Sequence, residues 1–171
     1  GDGCVTLPDF SLLRMNFGVC GDATARAAAD SVAPAVATVS AELNAATVAV
    51  GQPLTLTLRV DPAGQPVDGA AAYLTFDPAV VQVVDVQAGD ALPLALQNEF
   101  DNANGRIAFA AGTFDAPVAA VFDLAVVHLR ATGIGATAIA FEHTPPRQTD
   151  VTAVGDSVLQ RVEDNHLIVT P

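Results

Sequence analysis

The chain has 171 residues, enough for one sizeable domain with a small appendage. It is 51% apolar with eight Phe, one Tyr and no Trp, and nineteen acids face seven Arg and no Lys, for a formal charge of −12. That charge repels phosphate backbones and anionic lipid, which argues against nucleic acid as a partner; no run of about 18 apolar residues to span a membrane and no basic-then-apolar leader occurs in the sequence as given, the expectation for a soluble chain or for one processed before this numbering begins.

Residues 1–20 read GDGCVTLPDFSLLRMNFGVC. Phe10, Leu13 and Phe17 recur at helical spacing, Pro8 and Asp9 suit a first turn, and Gly18 suits a stop, so the pattern predicts a helix over Pro8–Phe17. Asp2-Gly3, Val5-Thr6 and Asp9 match the second half of a calcium loop, whose first half is missing. A hard cation takes about six to eight oxygens, so Asp2 and Asp9, with backbone and water, make a weak calcium site. Cys4 and Cys20 flank the helix, and an even count favours a disulfide; the helix is about 15 Å long, so both flanks must fold back, and two free thiols stay the alternative. Residues 21–35 are Ala-rich and hold Pro34, which predicts a linker or frayed helix before a domain over 36–171.

From Val36 short strand patterns recur between turn signals, the spacing of a sandwich or barrel. Val36–Leu43 is the first, and Leu54, Leu56, Leu58 and Val60 then alternate with Thr and Arg59. Ala72, Leu74 and Phe76 alternate up to an Asp77-Pro78 turn, and Val81, Val83 and Val84 begin a run that closes at Gly89, which predicts an antiparallel pair. Leu94–Phe100 leads through Asp101-Asn102-Ala103-Asn104-Gly105 into Arg106–Ala111, a hairpin whose register Asn98 leaves open. Phe122–Arg130 is apolar on both sides and suits a central strand. Thr137–Phe141, a polar loop with Pro145-Pro146, and His166–Thr170 complete about nine strands.

Catalytic signatures are missing: there is no G-x-S-x-G, H-E-x-x-H, CxxC or phosphate loop. His128, His143 and His166 lack metal-ligand spacing, and Glu142 and His143 point to opposite sides of an extended segment. A carboxylate pair could be distant in sequence, yet a chain with no Trp and one Tyr lacks the aromatic platforms of a sugar cleft.

The run from Ala46 to Pro171 is similar to a cohesin domain: Val50-Gly51, Tyr73–Pro78, Val80–Gly89, Gly105–Ala111, Val121–Leu129 and Thr137–Phe141 arrive in that family's order. The resemblance implies an all-β, nine-stranded antiparallel jelly-roll sandwich with a short N-terminal helical segment. It also implies a non-catalytic, cofactor-free module, secreted or on the cell surface, that receives a dockerin on one sheet. In the head, Asp2-Gly3, Val5, Asp9, Leu12-Leu13 and Asn16-Phe17-Gly18 resemble one repeat of a calcium-binding dockerin. The receiving sheet implied by the resemblance turns Gly69, Ala71, Tyr73 and Thr75 outward with Gln97, Glu99, Arg106 and Ala108. Tyr73 is then exposed, either as an interface anchor or lying flat as a strand residue, and Arg106 and Glu99 make a cross-strand pair. Where the family commonly shows Asn or Asp on the first of these strands, this chain shows Gly and Ala. A polysaccharide-binding module of the related fold and a structural spacer are the competing expectations.

Overall fold

The computed structural model describes Leu7, Phe10, Leu13 and residues 34–171. Among these, fifteen strand segments run in chain order: β1 (Ala37–Leu43), β2 (Thr47–Ala49), β3 (Pro53–Asp61), β4 (Gly69–Thr75), β5 (Val81–Ala88), β6 (Leu94–Asp101), β7 (Arg106–Gly112), β8 (Phe122–Ala131), β9 (Gly135–Phe141), β10 (His143–Thr144), β11 (Arg147–Gln148), β12 (Asp150–Ala153), β13 (Asp156–Ser157), β14 (Leu159–Glu163) and β15 (Asn165–Thr170). The nine strands expected from sequence are β1, β3 to β9 and β15, and six short segments join them. Leu7, Phe10 and Leu13 are helical, while Asp2, Asp9, Cys4, Cys20, the rest of the predicted helix and residues 21–33 lie outside the described residues.

Two sheets pack face to face. One has the order β14-β1-β3-β8-β5; in the other β4 is central, pairing with β7 on one edge and with β12 and β9 on the other. Alternation decides which side chains enter the space between them. Leu54, Leu56, Leu58 and Val60 of β3, with Leu124, Val127 and Leu129 of β8, meet Ala72 and Leu74 of β4, Ile107 and Phe109 of β7, Ile139 of β9 and Leu167 of β15. β8 lies between β3 and β5 as a central strand, as its apolar run predicts.

Three expectations are corrected. β4 and β5 do not pair with each other, because β5 pairs with β8 in the opposite sheet. The Asp77 turn, where the Val80 and Val81 amides both donate to the Asp77 carbonyl at 3.1 Å, carries the chain from one sheet to the other. Alternation marks a strand but not its neighbour, which is why the two runs read as a pair. A bulge between Val83 and Asp85 leaves Val84 59% exposed. In β6 the irregularity falls between Ala95 and Gln97 rather than at Asn98, whose Nδ2 donates to the Val86 carbonyl of β5 at 3.0 Å. Lastly, the presumed polar loop after Phe141 is built structure: β12 pairs with β4 and is buried at all four residues, and β14 runs parallel to β1.

Candidate functional site

The outer face of β4, β7 and β6 is a grid fixed by register, because paired residues point to the same side. One row holds Gly69 and Gly112 with Leu94, the next Ala71, Ala110 and Gln97, the third Tyr73, Ala108 and Glu99, and the last Thr75, Arg106 and Asp101. All eight residues expected to face outward on this sheet therefore share one face: Gly69, Ala71, Tyr73, Thr75, Gln97, Glu99, Arg106 and Ala108. They are not equally open. Glu99 and Arg106 are exposed, Tyr73, Thr75 and Gln97 half-buried, and Gly69, Ala71 and Ala108 buried.

The face divides into a polar end and a small-residue end. At the polar end, Tyr73 Oη donates to Gln97 Oε1 at 2.9 Å, and Gln97 Nε2 donates to Glu99 Oε2 at 3.0 Å. Burial pushes the Tyr73 phenol above its ordinary pKa; the Arg147 guanidinium opposes this and Glu99 adds to it. The phenol thus stays a donor at neutral pH. Tyr73 is half-buried rather than exposed: the Arg147 guanidinium carbon sits 5.1 Å from its ring centroid, and the side chain packs against the cluster of Leu7, Ala71 and Ala110.

Arg147 is brought there by a change of neighbour along β4. Its edge pairs with β12 at residues 69–71 and with β9 at residues 74–75. Between them, the Tyr73 amide donates to Thr149 Oγ1 at 3.1 Å and the Tyr73 carbonyl accepts the Glu142 amide at 2.8 Å. The intervening β10–β11 hairpin is displaced from the ladder and delivers Arg147, whose Nη2 donates to the Ile107 carbonyl at 2.9 Å and whose Nε pairs with Glu142. Sequence reading missed Arg147; the Pro145-Pro146 pair marked the loop but not the direction in which it folds.

The expected Arg106–Glu99 pair is also corrected: Arg106 lies opposite Asp101, and Glu99 lies opposite Ala108. Asp101 is held below its ordinary range first by the side chain of Asn104, then by the Asn104 and Ala103 amides, with Arg106 contributing least. Glu99, Asp101, Arg106, Ala108 and Arg147 line a shallow depression of mixed charge.

At the other end the surface is covered. Leu7 is 9% exposed and clusters with Ala71 and Ala110, and Phe10 and Tyr73 pack against this group. Beside the patch, the buried Asp68 accepts from Thr152 Oγ1 at 3.1 Å and from the Val154 amide at 2.9 Å. Asp150, in register with Ala71, accepts from Ser157 Oγ at 2.6 Å.

Among the described residues no group of three or more His, Cys, Asp or Glu side chains is arranged to hold a metal, and no helix is long and apolar enough to cross a membrane. The Asp2 and Asp9 calcium loop and the Cys4–Cys20 disulfide fall outside those residues.

The family model described as "Cohesin domain" matches residues 39–165. No curated protein matches the chain. Among solved structures, a type II cohesin domain from the cellulosome of Acetivibrio cellulolyticus superposes with a TM-score of 0.66 at 20% identity, covering 77% of this chain and 94% of its own. A non-cellulosomal cohesin from the archaeon Archaeoglobus fulgidus gives 0.63 at 16%, with coverages of 79% and 91%. The third ScaC cohesin of Acetivibrio cellulolyticus, solved with the ScaB dockerin, gives 0.66 at 13%, covering 80% and 100%.

Proposed function

This chain belongs to the cohesin family, and from that membership we propose that the outer face of β4, β7 and β6 receives a dockerin-type helical module. Cohesin domains are non-catalytic interaction modules, and relatives of this fold have been solved with dockerins bound. The observation that supports this face is Tyr73: a rigid aromatic fixed by Gln97 on one side and Arg147 on the other, beside a depression lined by two acids and two arginines. Such a residue offers large area at little entropic cost, the character of an interface anchor. The small neighbours Ala71, Ala108 and Ala110 let a helix approach the sheet closely. Contact of this kind needs no cofactor on the cohesin side. The setting is a secreted or cell-surface assembly, with a link to polysaccharide breakdown through whatever enzymes carry the partner module.

Titration calorimetry of the chain against dockerin modules from the same genome, in calcium, tests the reading. Micromolar or tighter binding is expected, and Tyr73→Ala weakens it about 10–100-fold, as for a hot-spot aromatic. Uniform failure to bind at micromolar protein, or a Tyr73→Ala chain that binds as well as the parent, overturns it.

A further inference from the structure

We propose that the chain carries its own displaceable cap: Leu7 and Phe10, on the helical head, occupy the small-residue end of the β4–β7 face and compete with the helical partner for it. The competition rests on the function proposed above; the cap itself does not.

Four observations carry the cap. Leu7 is buried where Ala71 and Ala110 lie side by side on β4 and β7. A Cβ on Gly112 would stand 2.4 Å from Phe10 Cε1 and 2.8 Å from Phe10 Cζ, and its three nearest atoms all belong to that ring. A Cβ on Gly69 would stand 3.0 Å from Leu7 Cδ1 and 2.8 Å from Thr152 Oγ1. The Phe10 ring also lies 5.5 Å from the ring of Phe114, tilted by 52°, so it is held from the loop side as well. In register these two glycines, the first residue of β4 and the last of β7, form the row against which Leu7 and Phe10 lie. The Gly and Ala that replace the polar residues usual in the family are thus fitted to the occupant the chain brings with it.

The cap is small enough to leave. Leu7 is buried and Phe10 half-buried, whereas Leu13 is 58% exposed. Among the described residues two side chains anchor it, against the roughly 20–30 residues a side of a standard protein interface. Residence on the same chain compensates, because tethered groups meet at effective concentrations on the order of millimolar. A partner then sees its affinity reduced by the fraction of molecules with the face open.

Tyr73 packs against the same cluster, and with no Trp and no other Tyr in the chain its fluorescence reports this face alone. In the full chain without partner, acrylamide quenching of Tyr73 is expected to rise about twofold or more in the Leu7→Asp/Phe10→Ala double variant. Gly112→Val, which leaves the head sequence intact but fills the space under Phe10, is expected to give the same rise. Urea midpoints measured alongside show that the sandwich persists. Unchanged quenching in both variants overturns the cap, and protection that grows with protein concentration overturns its intramolecular origin. Competition is read separately, with the tightest dockerin from the calorimetric screen: uncapping is expected to tighten binding about tenfold. Equal affinity for capped and uncapped chains overturns competition, whereas absence of any binding removes the proposed function and leaves the quenching result standing.

Discussion

The two sheets share a core but turn unlike surfaces outward. On β3 and β8 the outward positions are Thr55, Thr57, Arg59, Asp123, Val126 and His128, half-buried or exposed, with Arg59 bridging Glu42 at 3.3 Å and Asp123 at 2.9 Å. On β4 and β7 the corresponding positions carry Tyr73 and Thr75, half-buried, and exposed Arg106 at one end, and Gly69, Ala71, Ala108, Ala110 and Gly112, all buried, over the rest. The first surface follows from strand propensity and solvation: β-branched and charged side chains suit a wet pleated face. The second runs against propensity, and Leu7 and Phe10 lie over part of it.

The largest test addresses what the faces share. Leu74 is fully buried beneath the Tyr73 row, and Leu74→Ala should cost about 2–5 kcal/mol in urea unfolding, with the partner face lost as the protein unfolds. The second separates the faces. Ala71→Arg places a long charged side chain where Leu7 rests and should cost about 1–3 kcal/mol, near the value of burying one leucine. Thr57→Arg, at an outward position of the opposite sheet, should stay within about 0.5 kcal/mol. Equal effects at the two positions would show that the faces do not differ as described.

The same contrast explains what the sequence made legible. Where one side of a strand is wet, burial alternates and the pattern is readable: Leu54, Leu56, Leu58 and Val60, which alternate with Thr and Arg59 in the sequence, are all buried. Where both sides are covered, alternation vanishes. Asp150-Val151-Thr152-Ala153 is buried throughout, and its two polar residues read as loop although Val151 and Ala153 enter the core. The sharing of one face by Tyr73, Gln97 and Glu99 was legible from parity and resemblance. The hold of Arg147 on Tyr73 was not, because it depends on β4 exchanging β12 for β9 partway along its edge, a tertiary event with no local signal.

The smallest effect should differ in sign between the faces. Asp123 is exposed and paired with Arg59, so Asp123→Asn at neutral pH loses an exposed ion pair, about 0.2–1 kcal/mol of stability. Asp150 is buried beside Ala71, and desolvation raises its carboxyl pKa, with Ser157 Oγ and the Val151 amide only partly opposing. An acid raised on folding holds more protons in the folded than in the unfolded chain between the two pKa values. Its contribution is therefore fully present below the unfolded value, about 3.9, and is lost as pH rises through the folded one. Asp150→Asn keeps a carbonyl acceptor for Ser157 and removes the buried charge, so it should stabilise slightly at neutral pH, and this gain should disappear toward about pH 3. Urea midpoints of both variants across that range are the measurement. A loss at neutral pH for Asp150→Asn would mean that the carboxylate's bonds outweigh its desolvation, and that this edge of the small-residue face is held by charge rather than by dryness.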